Sequence, residues 1–332
     1  MESICAMAAH VREFKVIRVQ QTRYPKWIAT ISRLMLLLVA GFCVCNAVFA
    51  YDEPQKEFRL NMGFYLRSIT EVANRSDIEI SLNYWANEVI VTEGNKYNFH
   101  ITSSKVMLFE RIDEMRDAFE RGEIDMLIAP PLLLAKHFKR EDLGDGFIGL
   151  LEGKKPEGLL LISRIDKQIN RIQDLRNKRL MIIDEDDLAE VFLDTLVLTA
   201  LQKNYNDIGL AIKRQKKSNS IVLDVFFDKT DTGVVYSSSY DIMAELNPDI
   251  KHKIKVLAEY PIKSKNFSYF RRDYPLIQQL TNLAMNFPGN GRARQMLEIF
   301  KTPEVDYCRV NELDSVDAYY KDYLKLKKHE KK

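Results

Sequence analysis

Two polar clusters in the 332-residue chain could bind or transform a ligand: the acidic run Asp184-Glu185-Asp186-Asp187 and the serine run Ser237-Ser238-Ser239. Carboxylates at the start of a helix accept hydrogen bonds from its free N–H groups, or they pair with a cation. Serine hydroxyls donate and accept, so one of the three can cap a helix while another faces a ligand. Asp231 stands just before the apolar stretch TGVVY (232–236). It either contacts a ligand or orders the turn through an Asx bond. Tyr65 closes the apolar stretch RLNMGFY (59–65), where it suits a pocket wall or a half-buried surface. Pro130 and Pro131 follow IDMLIA (124–129). Proline suits the first turn of a helix, and here it also stiffens a loop whose following backbone can face a cleft. The candidate ligand-binding residues are Tyr65, Pro131, Asp187, Asp231, Ser237 and Ser238.

None of these forms a catalytic set. The chain lacks G-x-S-x-G, H-E-x-x-H, a P-loop and a dinucleotide fingerprint. Beyond residue 50 the histidines are His100, His137, His252 and His329, at no metal-ligand spacing, and the only cysteine is Cys308. The expectation is a binding protein and not an enzyme, with no cofactor, no metal site and no internal disulfide.

These residues need a scaffold that alternates strand and helix. Apolar runs at 59–65, 105–109, 124–129, 147–151, 158–163, 179–183, 232–236 and 254–260 read as strands. Helical periodicity lies between them at 113–122, 187–202, 220–227, 240–246, 275–286 and 292–300. Near-continuous apolar strands alternating with helices predict an α/β fold with mostly parallel sheets. Two long extended segments, 149–166 and 256–275, carry Gly/Pro breaks and read as crossings between two lobes. Residues 51–164 plus 256–332 would form lobe one and 165–255 lobe two, with a hinge and a ligand cleft between them. Ligands of such sheets lie outside the carboxyl ends of the strands.

Three blocks carry a resemblance to a known family. They are MRDAFERGEIDMLIAPPLLLAKHF (115–138), INRIQDLRNKRLMI (169–182) and VLDVFFDKTDTGVVYSSSYDIM (222–243). In this order and spacing the chain resembles, over about residues 57–300, the phosphate/phosphite/phosphonate-type substrate-binding proteins of ABC transporters. The resemblance implies the two-lobed type 2 periplasmic-binding fold. It also implies capture of a small polar solute for a membrane permease; the alternative is a sensing module read by a membrane signalling protein. The family follows its second block with a Ser/Thr-rich turn at a helix N-terminus, where hydroxyls and free N–H groups hold an oxyanion. This sequence has DEDDLAEVF (184–192) there. Asp186 or Asp187 at that helix start would consume the N–H groups, so simple phosphonates and phosphate are expected to bind weakly or not at all, and the expected solute is neutral or cationic, the alternative being that transport ligands are lost altogether.

Residues 1–50 have the layout of an export signal: six basic residues, then LMLLLVAGFCVCNAVFA (34–50), with Val48 and Ala50 set for cleavage after Ala50. The alternative is an uncleaved inner-membrane anchor, since the apolar run is just long enough to span. Six of the 49 basic and two of the 47 acidic residues lie in this segment, which leaves 43 and 45, a net charge of −2. So balanced a body gives no electrostatic reason to bind nucleic acid. The expectation is a periplasmic monomer.

Overall fold

A computed structural model describes residues 57–68, 75–96 and 99–330. The expected export signal and its cleavage point lie outside the described residues. Among the described residues no helix is long and apolar enough to cross a membrane.

The first sheet contains β1 (Glu57–Tyr65), β2 (His100–Phe109), β3 (Met126–Ala129), β4 (Leu143–Gly144) and β11 (Phe267–Arg271), in the order β2-β1-β3-β11-β4. β1 runs parallel to β2 and β3, and β11 returns antiparallel. The second sheet contains β6 (Glu157–Arg164), β7 (Arg179–Ile183), β8 (Ala211–Gln215), β9 (Thr232–Tyr236) and β10 (Ile254–Ile262), in the order β10-β6-β9-β7-β8. β7 runs parallel to β8 and β9, while β6 and β10 are antiparallel. A separate ribbon pairs β5 (Gly146–Leu150) with β12 (Glu304–Cys308).

Helices cover the sheets: α1 (Arg75–Trp85), α2 (Ile112–Glu120), α3 (Pro131–His137), α4 (Asp187–Leu201), α5 (Ser218–Phe226), α6 (Ser237–Leu246), α7 (Ile277–Met285), α8 (Gly291–Ile299) and α9 (Leu313–Glu330). Alternation along β1 splits its side chains between two cores. Leu60, Met62 and Phe64 face α1 and α7, whereas Tyr65 joins Met115 and Phe119 of α2 and Leu133 of α3. A third core fills the second sheet, where Leu159, Leu161 and Ile162 of β6 are fully buried.

The strand pairing moves the segment boundaries read from sequence. Residues 157–164 and 254–262 were expected in the first lobe, or at its border, but they hydrogen-bond within the second sheet. An apolar strand such as GLLLIS needs a paired neighbour on each side and cover on each face, and β9 and β10 supply the pairing. The connections between sheets are therefore the short segments 151–156 and 263–266. The C-terminal helix α9 also departs from the expected division. Val316 and Tyr323 pack into the second sheet's core, and the Tyr323 hydroxyl donates to the buried Asp194 of α4 at 3.0 Å.

Candidate interlobe binding site

β7 ends at Ile183, and its parallel neighbour β9 ends at Tyr236. Both carboxyl ends point to the side where β1 and β3 of the first sheet also end, at Tyr65 and Ala129. The turn after β7 uses Glu185 with φ of +57°, and Asp186 then takes an extended conformation before α4 begins. That geometry aims the Asp186 carboxylate at its own helix. Its Oδ1 accepts from the Leu188 and Ala189 N–H groups, each at 3.0 Å, and its Oδ2 accepts from the Tyr236 hydroxyl at 2.5 Å. A helix N-terminus attracts anions because its first N–H groups lack partners and its dipole is positive there. In this protein one of its own carboxylates fills that position.

The acids on either side of Asp186 reach across to the first sheet. Glu185 pairs with Arg67, from the turn that follows β1. Asp187 pairs with Lys136 of α3 at 2.7 Å. Beneath them, burial pushes the Tyr65 phenol above its usual range; Arg67 opposes this, and Asp187 and Asp186 reinforce it. Two ion pairs thus join the turn after β7 to the segments that follow β1 and β3.

A second helix start behaves the same way. α6 follows β9 directly, so Ser237 and Ser238 stand at its first turn. Neither serine caps it. Both donate their hydroxyls to Glu157 of β6, at 2.7 and 2.6 Å, and the Ser238 N–H donates to the same carboxylate at 3.0 Å. Glu157 is buried, and the Lys265 ammonium lies 3.8 Å from it and 4.2 Å over the Tyr236 ring. The expected serine cap is corrected: the carboxylate does the capping and the serines hold it.

The six candidates therefore separate. Tyr65 ends β1 within electrostatic reach of Asp187, Asp187 pairs with Lys136, and Pro131 is the first residue of the helix that carries Lys136. Ser237 and Ser238 stand at the carboxyl end of β9, the central strand of the second sheet, committed to Glu157. Asp231 is the correction. It precedes β9 and so lies at the opposite end of the parallel strands, where it accepts from the Arg179 backbone N–H at 2.9 Å and from the Arg179 guanidinium at 2.7 Å. Those bonds hold its carboxyl below the usual range. Its role is to pin the amino end of the sheet. His137 lies beyond Lys136 on α3, with Asp113 at 3.6 Å. Sequence reasoning missed Arg67, Lys136, Glu157, Tyr236 and Lys265. Lys136 and Tyr236 stood within the family-like blocks, but Glu157 is about 80 positions from the serines it joins. Among the described residues no cluster of His, Cys, Asp or Glu could hold a metal ion.

The family model described as the periplasmic substrate-binding protein of a phosphonate ABC transporter matches residues 104–305. No curated protein matches in sequence. Among solved structures, PhnD1 from Prochlorococcus marinus in complex with methylphosphonate aligns with a TM-score of 0.57 at 10% identity, covering 80% of this chain and 97% of that one. A binding-protein component of an ABC phosphonate transporter from Pseudomonas aeruginosa aligns with a TM-score of 0.56 at 10% identity, over 82% of this chain and 88% of that one. A Xanthomonas citri protein bound to chloride ion aligns at 0.57 and 12% identity, over 82% and 99%. At such identities these structures establish the shared two-lobed fold.

Proposed function

This chain belongs to the family of periplasmic substrate-binding proteins of phosphonate ABC transporters, and from that premise we propose that its own solute is a small neutral or cationic polar molecule rather than a simple phosphonate. The family's role is capture of a small solute for an ABC permease, and this carries the transport reading in preference to the sensory one. The observation behind the ligand proposal is Asp186. Its carboxylate accepts from the Leu188 and Ala189 N–H groups and from the Tyr236 hydroxyl, so three donors suited to an oxyanion are engaged. A cationic or neutral donor could instead approach Glu185 and Asp187 by replacing Arg67 and Lys136. Tyr65 and Pro131 would then wall the solute. Closure would turn about the segments 151–156 and 263–266.

The finer points of location belong to the same proposal: export by the segment at 34–50, cleavage after Ala50, and action as a periplasmic monomer. Calorimetry on the protein lacking residues 1–50 tests the ligand. Phosphate, methylphosphonate and 2-aminoethylphosphonate are expected to bind no better than about millimolar, a free energy of only ~4 kcal/mol. Low-micromolar binding of any of them would overturn the proposal. Fractionation tests the export, with a soluble periplasmic product beginning at Tyr51 expected and a membrane-retained full-length chain as the contrary result.

A further inference from the structure

The C-terminal helix α9 touches both lobes. It begins beside the connecting segment 263–266, where the Lys263 ammonium donates to Glu312, just ahead of the helix, at 3.0 Å. Its first residue, Leu313, is fully buried in the first-lobe core that holds Tyr65, Met115 and Leu133. Three residues on, Val316 enters the core of the second sheet, and Tyr323 follows it there. Tyr319 stacks on Tyr260 of β10 with ring centroids 4.0 Å apart. The helix packs on α3, which follows β3 of the first sheet, and also on α4 of the second. The chain therefore crosses between the lobes a third time, at residues 313–316.

The two attachments differ in strength. On α4, the buried Asp194 accepts from the Tyr323 hydroxyl at 3.0 Å and from the Lys327 ammonium at 3.4 Å. Parting them would strand a carboxylate that is only 1% exposed, and an unpaired buried charge is among the costliest defects of a fold. The contact with α3 is softer. Leu132 is fully buried among the second sheet's apolar residues although its helix follows a strand of the first, and the Lys136 ammonium lies 5.5 Å from the centre of the Tyr320 ring. Parting these gives water an apolar side chain and a partly exposed ammonium, with no buried charge left behind. α9 is thus fixed to the second lobe, and its seam with α3 is the side that slips.

We propose that α9 is a strap that biases the solute-free cleft towards closure, with the seam at Leu132 and Tyr320 setting how often the lobes part. The strap rests on the hinge closure proposed above. Tyr320 stands seven residues beyond Leu313, which places it about 10 Å along the helix from the hinge. A rotation of about 15°, of the size seen in rigid-body motions, shifts a point at that distance by ~3 Å. Apolar contact fades beyond about 4.5 Å between heavy atoms, so an opening of that size breaks the seam. Opening then exposes Leu132 in addition to parting the ion pairs of Arg67 and Lys136. A solute meets a site that is already largely closed, so little of its affinity is lost to closure.

Protein lacking residues 1–50 keeps every described residue, and its only cysteine is the buried Cys308. Nitroxide labels introduced through Lys139→Cys, exposed beyond α3, and Lys203→Cys, exposed beyond α4, report the distance between lobes by double electron–electron resonance with no solute present. The parent should give one dominant distance. Tyr320→Ala should add a longer one, with a population about tenfold above the parent's. Tyr320→Lys should do the same, because its stem still packs while its charge repels Lys136. Tyr320→Phe keeps the ring and should match the parent. Circular dichroism and thermal melting confirm the fold of each variant. Unchanged distances in folded Tyr320→Ala and Tyr320→Lys proteins would overturn the strap. The Arg67→Ala/Lys136→Ala protein separates that failure from a failure of closure: if it alone lengthens the distance, the lobes move and the strap is wrong, and if no variant does, the hinge closure falls with it. Since no solute is present, the outcome does not depend on what the cleft binds.

Discussion

Replacing Asp186 by serine tests whether one carboxylate decides what the cleft binds. Serine caps a helix about as well as aspartate does, so stability should change by less than about 1 kcal/mol. The consequences for an anion are much larger. The Asp186 carboxylate sits 3.0 Å from the Leu188 and Ala189 N–H groups, so an incoming oxyanion must displace it or sit beside it. Two unit charges about 5 Å apart repel by ~3 kcal/mol at an effective dielectric near 20, and solvent and salt reduce this by about half. Removing the carboxylate should therefore raise phosphonate affinity by roughly tenfold to a hundredfold. It also frees the Tyr236 hydroxyl, now donated to Asp186 at 2.5 Å. Glu185 and Asp187 remain neutralised by Arg67 and Lys136 and should not cancel the gain. The assay is calorimetry with methylphosphonate at low and moderate ionic strength, alongside thermal melting. A folded Asp186→Ser protein that binds methylphosphonate no better than the parent would refute the reasoning.

Three further predictions concern the frame around the cleft. Asp231 has its carboxyl held below the usual range in the fold, so its contribution is complete above the unfolded carboxyl's pKa and is lost as pH falls through the folded value. Asp231→Asn should cost about 1 kcal/mol at neutral pH, discounted because Arg179 is half exposed, and denaturant melts in acid should show the difference vanish; a pH-independent loss would count against it. Asp194 is 1% exposed and accepts from Asn204, the Tyr205 N–H and the Tyr323 hydroxyl. Asp194→Ala should cost about 3 kcal/mol in urea unfolding because it strands these buried donors, and a loss under ~1 kcal/mol would show that α9 is not anchored there. Arg67→Ala with Lys136→Ala removes both ion pairs across the cleft, each worth no more than about 1 kcal/mol at these exposures. Small-angle scattering should show a larger radius of gyration with little change in melting temperature, and an unchanged radius would mean that the pairs do not hold the lobes together.

Local chemistry was readable directly from the chain. The strands at 179–183 and 232–236 appear where the apolar runs stand, because a fully buried parallel strand has almost no other composition available to it. Asp186 at a helix start was readable too, since capping involves only the next three residues. Even the misplacement of Asp231 was avoidable: a residue before a parallel strand stands at the end away from the carboxyl edge. Strand β8, AIKRQ, escaped notice because it is an exposed edge strand without an apolar run, and β11, FSYFR, because it lay inside a segment read as a connection.

The contacts that give the cleft its character are different in kind. Glu157 meets Ser237 and Ser238 from 80 and 81 positions away, Lys136 meets Asp187 from 51, and Arg67 meets Glu185 from more than a hundred. No periodicity or spacing encodes such pairings. They arise because two sheets bring the carboxyl ends of their strands to one crevice. Which carboxylate fills which helix start is then set by distance and by the cost of leaving a buried charge unpaired. By itself the sequence determined the strands, the helices and the residues able to bind; the tertiary structure alone decided that the two helix starts facing the cleft are already occupied by the protein's own acids.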